Sequence, residues 1–440
     1  MTTAGAIVDR SDHYCVIGAG PTGLIAARAL KRAGIAFDVF DKHSTVGGMW
    51  DLDNEGTPGY ETAHFISSKT MSNIPGFPMP EDFPDYPGCE HVLSYIRAFA
   101  DAYDLQPHIT LRMAVSGVIR DEQTWLVTLS NGATHRYAGL FLCTGIWEPN
   151  EPSYPGEFTG ERMHSVKYRS PTLFRGKRVL IVGGGNSGCD IACDAARHAD
   201  SAFISLRRGY HFIPKYLFGT PTDVFADGVS FPYFIERRIF SLMLRFLVGD
   251  LANYGLPEPD HPVLASHPIL NTQILHHLGH GDIAYRPDVE RFDGRTVHFV
   301  DGTSDEVDLV MCATGYSVSY PYMEADVFEW NGLFPELYLS AFHRAYDSLC
   351  CLGLHQSFGS VYEFSNTAAD MMCNFIRDQR DNPERAQRFH ALKQSDQPNL
   401  GGGIPYIRSA RHQTHIENSA HRGYSSKLMR KFNWKSFGLM

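Results

Sequence analysis

Two sets of glycines, Gly18-x-Gly20-x-x-Gly23 and Gly183-x-Gly185-x-x-Gly188, have the spacing that lets a backbone close around a pyrophosphate. Each follows an apolar run, Tyr14 to Ile17 and Val179 to Val182, and each opens a helix-like stretch, from Gly23 to Ala33 and from Gly188 to about Ala199. A helix starting there aims free N–H groups and the positive end of its dipole at the anion. Glycine is required where a Cβ would intrude between backbone and phosphate. Two such sites in one chain point to redox transfer between two dinucleotides.

The strands that follow separate the two ligands. Phe37 to Phe40 leads into Asp41, where a carboxylate accepts hydrogen bonds from a ribose 2′-OH and repels a 2′-phosphate. FAD or NAD therefore suits the first site. In the second unit the run Ala202 to Leu206 ends in Arg207 and Arg208, and a guanidinium fork suits the 2′-phosphate of NADP. The alternative for these arginines is a solvated strand end.

Stepping out to the whole chain, 440 residues imply two or three domains, and 43% hydrophobic with 20% charged residues is the composition of a folded enzyme. A net charge of −10 disfavours nucleic acid or an anionic membrane as the main partner. The most apolar local stretch, Ile239 to Val248, is too short to span a bilayer and contains Arg245, so it is expected as a buried or cleft-lining helix and not a transmembrane anchor. The N-terminus carries Asp9, Arg10 and Asp12 and no hydrophobic signal core, and nine scattered cysteines do not form a secreted disulfide pattern. A cytoplasmic location follows as the expectation. Cys189 and Cys193 lack the Cys-x-x-Cys spacing of a redox pair, and Cys350-Cys351 are adjacent, so packing is the expected role of both pairs. No metal site is expected.

The expected fold class is α/β, with two Rossmann-like dinucleotide-binding domains, one inserted in the other. Residues 1–150 form the first part of the first domain, residues 151–305 the inserted domain with its linkers, and residues 306–440 the second part of the first domain with a substrate-cleft region. The landmarks are two similar run endings, Leu140 to Thr144-Gly145 and Leu309 to Thr314-Gly315, and turn-rich connectors at Pro149 to Gly156 and Asp301 to Asp305. The chain is expected to leave the first domain at the first Thr-Gly and to return at the second.

These residues also resemble a known family. Phe158-x-Gly160-x-x-x-His164-x-x-x-Tyr168, continuing through Pro171, Phe174 and Gly176-Lys177-Arg178 into Gly185-Asn186-Ser187-Gly188, is similar to the linker signature of the flavin-containing monooxygenases. Gly47-Gly48-x-Trp50 resembles their flavin-contacting segment, Pro75-x-Phe77-Pro78 their proline-rich stretch, and Ala313-Thr314-Gly315-Tyr316 their late signature. The similarity runs from about residue 13 to about residue 380.

The resemblance implies an NADPH-dependent flavoprotein monooxygenase: FAD is reduced by NADPH, O2 adds to give a C4a-(hydro)peroxyflavin, and a small substrate is oxygenated. The implied cofactor-binding residues are Gly18, Gly20, Gly23, Asp41, Gly48, Trp50, Gly145, Gly183, Gly185, Asn186, Ser187, Gly188, Arg207, Arg208, Thr314 and Gly315. Where much of the family has an Asn near the flavin edge this chain has Ile66, and Ser67, Ser68, His64 and Asn73 are the candidates to replace it. Ser67, Asn73 and His164 are thus the candidate catalytic-site residues, with His164 more suited to a hinge or to NADP positioning than to acid or base work. The signature's closing Tyr168, in place of Trp, leans away from the Baeyer-Villiger branch and toward oxygenation at nitrogen or sulfur or oxidative decarboxylation. A Baeyer-Villiger or decarboxylating reaction on a carbonyl, and a flavin reductase without oxygenation, stay open. So does a homodimer. The aromatic segment His355 to Asn366, with Phe358, Tyr362 and Phe364, is either a substrate cleft or packing against the flavin.

Overall fold

The computed structural model describes residues 6–227, 232–357, 361–407, 409 and 412–438. Phe358 lies outside the described residues. The first glycine set joins strand β1 (Val8–Ile17) to helix α1 (Pro21–Ala33), and β2 (Phe37–Phe40) follows. Helix α2 (Cys89–Ala102) and strand β3 (Thr134–Leu142) complete this part. Then come β4 (Glu161–His164), β5 (Arg178–Val182), helix α3 (Asn186–His198), β6 (Ser201–Ser205), helix α4 (Tyr233–Leu247), β7 (Ile283–Arg286) and β8 (Leu309–Cys312). Strand β9 (Leu349–Cys351) and helix α5 (Val361–Asp381) bring the chain back.

The last four residues of β1 and all of β8 and β9 are buried, as expected of apolar runs covered on both faces of a parallel sheet. Around β1 the spatial order is β9, β3, β1, β2 and then Ile109–Thr110, all parallel, in a sheet of nine strands. Around β5 it is β7, β6, β5, β8, β4, also all parallel, in a sheet of five. Counting from its own first strand, each sheet runs third, second, first, fourth, the doubly wound order whose switch point lies between the first and fourth strands. Both glycine loops sit at such a point.

The two connections between the sheets run side by side. Glu148–Pro149 leaves and Tyr316–Ser317 returns, paired antiparallel with Tyr316 opposite Pro149. Residue 306 is therefore not where the chain re-enters the first domain: β8, with its Thr314-Gly315 ending, belongs to the second sheet, between β5 and β4. The sequence masked this because β3 and β8 play the same part in their own sheets and end alike.

Helix α4 is not buried, one of the two roles expected for it. Leu244 is its buried residue, packed with Ile213, Val263 and Leu264, whereas Leu242 and Phe246 are 70% and 89% exposed. The apolar stretch lies on the surface, held along one edge, with Arg238 and Arg245 among its exposed residues. No helix among the described residues is long and apolar enough to cross a membrane. All nine cysteines are buried thiols, Cys189 and Cys193 included.

Helix α5 packs along α1 and ties the C-terminal part to the first glycine loop's helix. The tie is a buried cation. Arg28, 1% exposed, donates to Pro75 O at 2.7 Å and Asn366 Oδ1 at 2.5 Å, and lies 4.9 Å above the Phe99 ring of α2. Removing it would leave the buried Asn366 amide oxygen and the half-buried Pro75 carbonyl without their donor and vacate space beside an aromatic ring. Arg28→Ala should cost about 2 to 4 kcal/mol and lower the melting temperature of the flavin-loaded protein by about 5 to 10 °C in a thermal scan, with Arg28→Lys losing roughly half as much.

Candidate functional site

The two glycine loops have the same backbone. Gly18 and Gly183 sit at φ +107° and +114°, a region that disfavours any side chain. Gly20 and Gly185 cap their helices at φ −73°, ψ −178° and φ −71°, ψ 175°. Neither helix has a side-chain cap or an acidic residue in its first turn, so the N–H groups and dipole of each face an open loop.

The reason for the first glycine is the neighbouring strand end. A Cβ on Gly18 would lie 2.5 Å from Cys143 O, and one on Gly183 would lie 2.5 Å from Ala313 O. Thr144-Gly145 and Thr314-Gly315 thus occupy equivalent places, each just past the strand beside its own loop. Gly23 and Gly188 allow the same helix turn to pack on the loop carbonyls of Gly18 and Gly183. On the first loop, Gly48 closes from the other side, its Cβ position 3.0 Å from Gly20 Cα, and Trp50 follows, buried. These cradles fit the pyrophosphate of a dinucleotide, and a methyl group at Gly18 or Gly183 would spoil either.

What stands at the end of the second strand differs as the sequence indicates. Asp41 is buried; its Oδ2 accepts from Ala19 N at 2.6 Å and its Oδ1 from His43 N at 2.8 Å. The carboxylate is thereby locked against the glycine loop. His43 stacks on Trp147 with ring centres 5.9 Å apart, and burial lowers its pKa, so a neutral aromatic pair flanks Asp41. The sequence did not reveal this pair, because only the parallel packing of β2 and β3 on either side of β1 brings the two residues together. In the second unit Arg207 is exposed at the strand end, and Arg208 is half-buried with Asp260 Oδ2 at 3.9 Å.

The candidate catalytic residues are committed to the backbone to different degrees. His164 is fully buried; Nε2 donates to Gly315 O at 3.1 Å and Nδ1 accepts from Val166 N at 3.2 Å. Burial also lowers its pKa, so it is a neutral ring holding the Thr314-Gly315 turn. Asn73 closes a turn, with Oδ1 accepting from Met79 N at 2.7 Å and Nδ2 donating to Thr70 O at 3.1 Å. Ser67 shares a 2.6 Å hydrogen bond with Ser72 Oγ. No hydrogen bond among the described residues joins any two of these three.

Aromatic packing continues from Gly48. Phe65 meets Trp50 edge-on at 4.7 Å and Tyr362 at 6.2 Å. Phe364 is turned away, buried between His355 and His421 at 5.8 and 4.7 Å. The segment 355–366 is therefore split, with Tyr362 on the side of the first loop and Phe364 in internal packing.

On the second loop, Asn186 Nδ2 donates to Pro268 O at 3.0 Å and its Oδ1 accepts from Leu270 N at 3.0 Å. Thr62 Oγ1 and the Tyr168 hydroxyl both donate to Asp194 Oδ2, at 2.5 and 2.9 Å. Residues 60–62 of the first domain thus lie along α3 of the second.

Comparison with known proteins agrees with this architecture. The sequence profile of the FMO-like family, flavin-binding monooxygenase-like, matches residues 11–400. The chain is 32% identical over 383 residues to flavin-containing monooxygenase 2 of Homo sapiens, a match covering 79% of this chain and 70% of the relative. It is 28% identical over 380 residues to a probable indole-3-pyruvate monooxygenase of Arabidopsis thaliana, covering 79% and 89%. Among solved structures, an oxidized steroid monooxygenase bound to NADP superposes with a TM-score of 0.71 at 18% identity, covering 98% of this chain and 99% of that one.

The loop geometry predicts separable defects. Gly18→Ala should give protein with little bound flavin by absorbance, because its Cβ meets the Cys143 carbonyl. Gly183→Ala should keep flavin and lose its reduction by NADPH. The opposite pattern would reverse the two sites.

Proposed function

The chain belongs to the flavin-binding monooxygenase-like family, and from that premise we propose that the first glycine loop holds its FAD, the second its NADPH, and that the enzyme oxygenates a small substrate at nitrogen or sulfur. It is an NADPH-dependent flavoprotein monooxygenase using FAD. The observation that carries the finer assignment is the contrast at two otherwise matching loops: a locked carboxylate, Asp41, beside one and Arg207 with Arg208 beside the other. An unphosphorylated ribose suits the first and a 2′-phosphate the second.

FAD, when bound, supplies the hydride acceptor and the group that activates O2, and the chain's own work is positional. The cradle of Gly18, Gly20, Gly23 and Gly48 binds and orients the pyrophosphate. Trp50, Phe65 and Tyr362, all buried, form an apolar wall that excludes water. No side chain is needed to abstract a proton from a neutral amine or sulfide, whose lone pair is itself the nucleophile. That suits a site whose His164 has both nitrogens bound to backbone. Relatives named dimethylaniline monooxygenase, N-oxide-forming, add support for nitrogen. Nine buried thiols suit a reducing compartment such as the cytoplasm.

Product analysis with a tertiary amine, a thioether and a ketone, under full accounting of NADPH consumed, tests the substrate class. An N-oxide or S-oxide is expected, and an ester from the ketone with no heteroatom product would overturn the reading. Replacing Arg207 and Arg208 together by Gln should raise KM for NADPH about ten- to a hundredfold, the loss of a charge-assisted contact of about 1.5 to 3 kcal/mol, and leave KM for NADH nearly unchanged. A general loss of positive charge would instead weaken both cofactors and fade with added salt.

A further inference from the structure

We propose that His64 and Lys215 are positioning residues: a hydrogen bond from Lys215 Nζ to His64 Nε2 joins the two dinucleotide folds and sets the register in which the nicotinamide meets the flavin, an inference that rests on the cofactor assignment above. The paired linkers Glu148–Pro149 and Tyr316–Ser317 alone leave rotation about their own axis open. Contacts away from that axis must fix the angle.

One segment supplies several of those contacts. Tyr60, Thr62 and His64, in a turn at residues 60–64, each reach side chains of the second domain. Tyr60 Oη is 3.5 Å from Asp190 Oδ2, and Thr62 bonds Asp194. Asp190 and Asp194 lie on α3, whose first turn follows Gly185. A shift of the segment along α3 is therefore a shift of one cofactor against the other.

The third contact reaches a different element. Lys215 follows the strand end that carries Arg207 and Arg208, and its half-buried ammonium points back to the first domain. There it meets His64 Nε2 and lies 4.9 Å over the Tyr86 ring, while the Tyr86 hydroxyl donates to Lys215 O at 2.5 Å. The tautomer is settled by hydrogen bonding. Lysine only donates, so Nε2 must accept, and Nδ1 then carries the proton and donates to Thr62 O at 3.1 Å. Burial raises the Asp190 pKa and the Lys215 ammonium opposes that rise, so the carboxylate on α3 is the counter-charge of Lys215. Two side chains of the first domain thus grip one cation of the second, with its counter-charge on α3. Lys215 in this grip is taken from the 2′-phosphate and given to the domain boundary.

Hydride transfer is sensitive to such a register, since a misplacement of about 1 Å can cost about a hundredfold in rate. Stopped-flow reduction of the FAD-loaded enzyme by NADPH reads this step directly. His64→Leu and Lys215→Met should each slow flavin reduction about tenfold or more, with flavin content, NADP+ affinity and reduction by dithionite unchanged. The double variant should be no slower than the slower single, because both lose one contact. His64→Gln, whose carbonyl can accept from Lys215 while its NH2 donates to Thr62 O, should restore most of the rate. A wild-type rate in either single, additive losses in the double, or Gln no better than Leu would overturn the bridge. Should His64→Leu lose flavin, Lys215→Met decides by the same rate. Failure of the wild-type enzyme itself to be reduced by NADPH would instead sink the cofactor assignment.

Discussion

Close approach of a strand-end carbonyl to a glycine underlies the whole molecule. Cys143 O against Gly18 and Ala313 O against Gly183 leave no room for a Cβ, and each contact sits where a parallel sheet changes winding direction. From it follow the tight turn, the bare helix N-terminus beyond it, and the direction in which that helix packs. The strand ends beside the loops are apolar because both faces are covered there. The same unit is used twice, and the second copy is carried on two paired linkers from the first.

Identity of backbone makes the side chains around each loop decisive. Asp41 is held rigidly by Ala19 N and His43 N, which places a negative charge at the first loop without a rotamer to choose. Arg207 is exposed and Arg208 has only a long contact to Asp260, so the cations beside the second loop are longer and more adaptable than the carboxylate beside the first. A tightly held flavin and an exchanging nicotinamide dinucleotide would call for that difference.

Between the two units the polar contacts are concentrated on few residues. Asp194 accepts from both Thr62 and Tyr168, and His164 ties β4 to the Thr314-Gly315 turn. The linker signature therefore acts through structure: its His and Tyr hold the linker and α3 in place. Asn73 likewise serves a turn. Residue types that could do acid–base chemistry were visible in the chain, but whether their lone pairs are free depends on backbone groups that only folding brings near.

The sequence by itself determined the two loops, the carboxylate and the arginines beside them, and the inserted order of the domains, because glycine spacing, strand runs and charge are local properties. Tertiary structure decided the rest. The ending at Thr314-Gly315 looks like a return to the first domain, yet β8 pairs with β5 and β4, since strand partnership is non-local. Ile239 to Val248 has the composition of a buried helix and lies on the surface, because burial depends on what packs over a face and not on the face alone. His43 with Trp147, and His64 with Lys215, are far apart in the chain and meet only once parallel strands and paired linkers have set their distances.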